Sequence, residues 1–170
     1  TYDRWYDAVE GRAIFEAELR CLQSLRGGRT GRWLEVGVGT GRFAGALGIG
    51  EGIDTSPRML EIAARRGIRT CAASAEKMPF LPAAFEGVLM ALTLCFVSDA
   101  PRTLSECRRV LRRGGQLLLG IVPADSAWGR SYSAKAAAGH RVYAHARFRT
   151  ASQVMQLVQD AGFAPLGAAG

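Results

Sequence analysis

Leu34-Glu35-Val36-Gly37-Val38-Gly39-Thr40-Gly41-Arg42-Phe43 decides the reading of this chain. The apolar run from Arg32 to Gly37 predicts a buried strand ending in glycine, and residues 41–48 predict a short helix. Glycines at 37, 39 and 41 permit a tight turn and let a ligand come close to the backbone. A strand-to-helix turn without a ligand uses the same residues, so the next strand decides. It runs from Ile49 and ends in Gly52-Ile53-Asp54. A carboxylate there can accept two hydrogen bonds from a ribose diol. Asp54 also precedes Thr55-Ser56-Pro57, a helix-capping run. The loop and Asp54 together imply a nucleoside-containing cofactor.

The same alternation continues outward. Residues 8–26 predict a helix, stopped by Gly27 and Gly28. Ser56 suits an N-cap, Pro57 the first helical position and Gly67 the stop. Ile68–Ala72 and Phe85–Leu94 predict further strands, the second apolar enough to be buried on both faces. A helix over Pro101–Arg113 follows, then a Gly114-Gly115 turn and a strand over Gln116–Val122. Thr150 and Gln153 form a capping-box pair opening a helix to about Ala161, and Phe163–Leu166 predict the start of a sixth strand. The fold class is α/β: a doubly wound, mostly parallel, Rossmann-like sheet with helices on both faces. In such sheets ligands sit outside the carboxyl ends of the strands.

Two features narrow the cofactor. Dinucleotide sites use G-x-G-x-x-G, whereas here the third glycine comes one residue early. Glu35 stands two residues before the first glycine, a poor neighbour for a pyrophosphate and a reasonable one for an ammonium and a sulfonium. This pattern resembles motif I of the class I S-adenosylmethionine-dependent methyltransferases of the small-molecule type. Four more segments resemble that family in order: Ala73–Phe80 its G-D-A-x-x-L-P-F segment, Phe85–Val88 its F-D-x-V strand, Leu111–Leu117 its L-K-P-G-G-x-L turn, and Gln159–Phe163 its late E-A-G-F helix end.

The resemblance implies S-adenosyl-L-methionine as cofactor and S-adenosyl-L-homocysteine as product. It implies contacts from Glu35, Gly37, Val38, Gly39 and Gly41 to the methionine part, and from Asp54 to the ribose. Ser74, Ala75 and Glu76 would lie around the adenine, with Thr55 and Met59 flanking adenine or ribose. Leu92, late in strand four, would also belong to the cofactor site, and Tyr6 would belong to an N-terminal aromatic lid with Tyr2 and Trp5. Ser74 stands where the family has an aspartate, and Glu86 where it has another. The family's sheet usually has seven strands, so a chain stopping at Gly170 is expected to lack the last of them.

The organisation expected is one domain over 1–170: an N-terminal helical lid (1–30), a cofactor-binding core (31–122), an acceptor-side segment (123–149) and the last helix with the start of strand six (150–170). The 123–149 segment is long for a loop. It carries Trp128, Tyr132, Tyr143 and Phe148 with Lys135, Arg141 and Arg147, a mixture suited to an aromatic or anionic small-molecule methyl acceptor. His140, His145 and Tyr143 are the candidate catalytic groups, set against surface or structural roles for each.

Composition agrees with a globular domain: 170 residues, 48% hydrophobic and 22% charged. No apolar run is long enough for a membrane span. The net charge of +7 invites a nucleic-acid partner, but the arginines are spread along the chain, and the cluster Arg108, Arg109, Arg112 and Arg113 falls where a helix end would be complemented by cations. Cys21, Cys71, Cys95 and Cys107 show neither metal-ligand nor disulfide spacing, which predicts buried free thiols in a cytoplasmic protein with no metal. The competing readings are a nicotinamide oxidoreductase, a cofactor-binding protein without catalysis, and an RNA methyltransferase.

Overall fold

Each of the five strands pairs parallel to its neighbour in a computed structural model that describes residues 3, 6–140 and 142–170. In chain order the elements are α1 (Val9–Arg26), β1 (Trp33–Val36), α2 (Arg42–Leu47), β2 (Glu51–Asp54), α3 (Pro57–Arg65) and β3 (Arg69–Ala72). They continue with β4 (Phe85–Ala91), α4 (Ala100–Val110), β5 (Leu111–Gly120), α5 (Ala127–Ala137), a 3-10 turn (Tyr143–His145) and α6 (Ala151–Asp160). The sheet order is β3-β2-β1-β4-β5, so the chain reverses its direction of winding between β1 and β4.

Side-chain alternation makes the sheet two-faced. Leu34, Val36, Val88 and Met90 join one buried cluster with Cys107 and Val110 of α4 and Val154 of α6. Trp33, Leu89, Ala91 and Leu118 join the other, with Leu22 of α1, Phe43 and Ala44 of α2, and Leu60 and Ala63 of α3. Helices therefore cover both faces, as the α/β pattern predicts. Local caps agree as well. Ser56 accepts the Met59 N–H with Pro57 in the first turn, and Thr150 and Gln153 form the reciprocal capping box.

Several expectations are corrected. The helix predicted to run to Arg113 stops at Val110, and Leu111 is already in β5 opposite Phe85. Only Arg108 and Arg109 of the basic cluster occupy its last turn; Arg109 also binds Glu106 and the carbonyls of Phe80 and Met78, and Arg112 pairs with Glu86. The 123–149 segment is not a loop but holds α5 and the 3-10 turn. Ser126 caps α5 by accepting the Gly129 N–H, yet Gly129 is its only buried residue, so there was no apolar stripe to read. Residues 163–166 form no strand; Phe163 instead packs against the α4–α6 cluster. All four cysteines are free, with only Cys107 buried and the others half-buried.

Candidate functional site

A cavity of about 1000 Å³ opens at the carboxyl ends of the strands, beside the reversal between β1 and β4. Ligand pockets span roughly 300–1,000 Å³, so it has room for a nucleoside cofactor and a second small molecule. Its floor is the glycine loop. The Gly37 and Val38 N–H groups both donate to Ile53 O, at 2.8 and 2.9 Å, and the Gly39 N–H donates to Asp54 Oδ2 at 2.9 Å. Asp54 Oδ1 accepts the Ser56 N–H at 2.9 Å. One carboxylate thus fastens the loop after β1 to the start of α3, and each oxygen keeps a lone pair for a ligand.

The glycines differ in what they do. Gly37 has φ +71°, and a Cβ there would drive into the Thr93 side chain. Gly39 has φ +52°, lines the cavity, and a Cβ there would enter open space. Gly41 does not line the cavity; a Cβ there would press on Ile68 and on Ala63 of α3, so its role is packing.

Of the residues predicted from the sequence, Tyr6, Gly37, Gly39, Asp54, Thr55, Met59, Ser74, Ala75, Glu76 and Leu92 all line this one cavity. Glu35 and Val38 do not. Strand alternation turns Glu35 to the face of Trp33, where it is 2% exposed beneath α2. Burial holds its carboxyl well above the carboxylate range; a hydrogen bond from the Ala44 backbone pulls it back, and the Asp54 charge adds to the rise. Its Oε2 has no hydrogen-bond partner among the described residues. Val38 is buried against Gly52.

The adenine-side residues are occupied locally. Ser74 Oγ accepts the Glu76 N–H at 3.1 Å and donates to Glu76 Oε2 at 3.3 Å. Glu76 Oε1 accepts the Ser98 and Asp99 N–H groups at 2.8 and 2.9 Å, tying this loop to the start of α4. Leu92 takes φ 58°, a strained conformation for a branched side chain, and its N–H donates to Gly120 O at 2.8 Å. Burial pushes the Cys95 thiol up to about 11, which keeps it protonated and unreactive at neutral pH.

The N-terminal segment is fastened over the glycine loop. Asp3 accepts Thr40 Oγ1 at 2.8 Å, Arg42 Nε at 2.7 Å and Arg66 Nη2 at 2.9 Å. Against the upward push of burial, these bonds hold its carboxyl down at about 2. The Arg42 guanidinium lies over the Tyr6 ring at 5.3 Å, and Tyr6 meets Phe15 edge-on at 5.8 Å. Tyr2, Trp5 and Arg141 lie outside the described residues.

The opposite wall comes from the 123–149 segment. Tyr132 and Tyr143 stack at 4.6 Å, His140 stacks on Tyr143 at 4.9 Å, and Phe148 lies 6.1 Å from Tyr132. His140, Tyr143 and His145 all line the cavity. His140 Nδ1 accepts the Val142 N–H at 3.3 Å.

Sequence reading placed α1 in an N-terminal lid but missed which of its residues reach the site. Glu10, Ile14 and Glu18 all line the cavity, and their spacing of four places them along one side of the helix. That spacing was the available signal. Burial pushes the Glu18 carboxyl from 4.5 up to about 7. A carboxyl raised by folding contributes its stability at pH below the unfolded value, and loses it as pH rises through the folded value. Glu18→Gln is therefore expected to stabilise the protein by on the order of 2 kcal/mol near pH 8 and by little near pH 4. Thermal unfolding at the two pH values checks this.

A parallel sheet with a glycine loop and a carboxylate side by side at its reversal point defines a nucleoside-cofactor domain of the class I methyltransferase type. Residues 34–119 match the methyltransferase domain family, and the chain belongs to that family. It is similar to a Mycobacterium tuberculosis protein of undescribed function, 44% identical over 162 residues that cover 95% of this chain and 57% of the relative. It thus spans little more than half the length of that relative. A solved Thermotoga maritima structure, described as an S-adenosylmethionine-dependent methyltransferase and possible histamine N-methyltransferase, is 39% identical with a TM-score of 0.89, covering 96% of this chain and 76% of the other. Demethylmenaquinone methyltransferase of Thermotoga maritima is 39% identical over 70 residues, 40% of this chain and 31% of that enzyme.

Proposed function

We propose that this chain is the catalytic domain of an S-adenosylmethionine-dependent methyltransferase acting on a small-molecule acceptor. One observation carries the reading: a single cavity joins a glycine-and-carboxylate floor to an aromatic wall built from a different part of the chain. The floor fits the cofactor. Gly39 leaves open the space a Cβ would fill, and Asp54 presents a carboxylate at the end of β2.

Gly37 and Gly39 would hold the methionine part, with Tyr6 above it. Asp54 would hold the ribose, with Thr55 and Met59 beside it, and Ser74 and Ala75 the adenine. Glu35, Val38 and Gly41 would act from behind, by shaping the loop. When bound, S-adenosylmethionine supplies an electrophilic methyl group on a sulfonium whose departure leaves a neutral thioether. The protein's work is then chiefly to align the acceptor and exclude water, and orientation of this kind can supply roughly 7–11 kcal/mol. Residues 1–30 serve as the lid, 31–122 as the cofactor core, and 123–149 as the acceptor wall.

No helix among the described residues is long and apolar enough to cross a membrane. The unpaired cysteines fit a reducing compartment such as the cytoplasm. Calorimetric titration with S-adenosylmethionine and S-adenosylhomocysteine tests the reading. Micromolar binding of both is expected; a folded chain that binds neither at millimolar concentration overturns it.

A further inference from the structure

Two groups in the cavity have no part in holding the cofactor as proposed above: the aromatic stack of α5 and the 3-10 turn, and Glu18 of α1. Glu18 Oε2 is fully buried and has no hydrogen-bond partner among the described residues. No ion pair reaches Glu18 among the described residues either. A buried polar atom without a partner is uncommon in a folded protein and calls for an explanation.

The packing of α1 says which half of the cavity Glu18 serves. Leu22, one turn further along, sits 3.8 Å from where a Cβ on Gly120 would be, at the carboxyl end of β5. Gln116 Nε2 of β5 donates to Leu25 O at 2.8 Å. The helix thus lies along β5, whereas the cofactor loop follows β1, on the far side of β4. Glu18 stands beyond the end of β5, where the chain leaves for the 123–149 segment.

The described cations of the acceptor wall, Lys135, Arg147 and Arg149, do not answer this carboxyl. Arg147 reaches Ser98 O at 3.5 Å, and Arg149 reaches Leu94 O at 3.3 Å. The Lys135 ammonium lies over the Tyr132 ring at 5.3 Å. That last contact also shows that the ring face accepts a cation. The cavity therefore combines a carboxyl lacking a partner among the described residues with an aromatic wall. Both favour a donor that is positively charged and flat or apolar in its body.

We propose that Glu18 is the residue that binds the acceptor, and that the acceptor is a basic nitrogen carried on an aromatic or apolar frame. This deepens the methyltransferase reading and rests on it. Glu18 holds the protonated nitrogen by an N–H to carboxylate hydrogen bond, while the frame lies along the aromatic wall of α5 and the 3-10 turn. Its carboxylate can then accept one proton from that nitrogen. The N–H bond breaks, its electron pair stays on nitrogen as the lone pair, an O–H bond forms on Glu18, and an ammonium–carboxylate pair becomes an amine and a carboxylic acid. A nitrogen with a free lone pair is the form able to accept a methyl group.

The test is calorimetric and needs no turnover. The full chain is saturated with S-adenosylhomocysteine and titrated with three probes of one shape: 2-phenylethylamine (cationic), 2-phenylethanol (neutral) and 3-phenylpropanoate (anionic). The amine is expected to bind at least tenfold more tightly than either of the others. Glu18→Gln, which keeps size and shape, is expected to remove that preference while leaving S-adenosylhomocysteine affinity within twofold. Retained S-adenosylhomocysteine binding also shows that the variant is folded. Tighter binding of the anion, no binding of the amine, or an unchanged amine affinity in Glu18→Gln overturns the proposal. So does a variant that loses S-adenosylhomocysteine instead, since Glu18 would then belong to the cofactor half. Failure of the unaltered chain to bind S-adenosylhomocysteine removes the methyltransferase reading itself, and this proposal with it.

Discussion

Asp54→Ala is expected to weaken S-adenosylhomocysteine binding at least a hundredfold, a change of roughly 2.7 kcal/mol. Two losses combine. The ribose acceptor disappears, and hydrogen bonds to charged groups are worth about 1.5–3 kcal/mol. The Gly39 and Ser56 N–H groups also lose their partner, so the loop and the start of α3 are no longer fastened to each other. Asp54→Asn keeps one carbonyl acceptor and should fall between the two. Titration of the three proteins gives the order. Equal affinities would mean that the ribose is held elsewhere.

The second large effect separates two neighbouring glycines. Alanine at positive φ costs roughly 1–2 kcal/mol. At Gly37 the new Cβ also drives into Thr93, and overpacking adds roughly 1–3 kcal/mol. Gly37→Ala should therefore lose about 3 kcal/mol of folding stability in denaturant unfolding. Gly39→Ala meets no atom of the described residues and should lose only the conformational part. Its methyl group nevertheless projects into the cavity floor, so S-adenosylhomocysteine affinity should fall at least thirtyfold, about 2 kcal/mol. A Gly39→Ala variant that binds as well as the unaltered protein would show that the ligand does not approach this backbone.

Much of this site was legible in the sequence, for a physical reason. A tight turn after a buried strand needs glycine, and a ribose diol needs a carboxylate. Both requirements fall on short, contiguous stretches, Val36–Gly41 and Gly52–Asp54, and the structure brings them within one hydrogen bond of each other. Glu35 was placed by its nearness in sequence to the glycines. The period of two along β1 turns it away from the cavity, a consequence the pattern already contained. Helix α5 was missed because its sequence, rich in alanine and serine with a lone buried glycine, carries no stripe. Glu18 was missed because a carboxylate on an amphipathic helix reads as solvated until the helix has a partner.

That partner arrives late. Gln116 and Leu25 are separated by 91 residues in the chain. Synthesis runs from the amino terminus, and contacts of long sequence separation form only after the intervening chain exists. Strands β1, β2 and β3, with Asp54 among them, can assemble while β5 is still to be made. Phe15 of α1 has an early partner in Phe43 of α2, but the Leu22 and Leu25 end of the helix gains its β5 contacts only once residues 111–120 emerge. The glycine loop's bonds to β2 are therefore available to the growing chain before the contacts of α1 with β5.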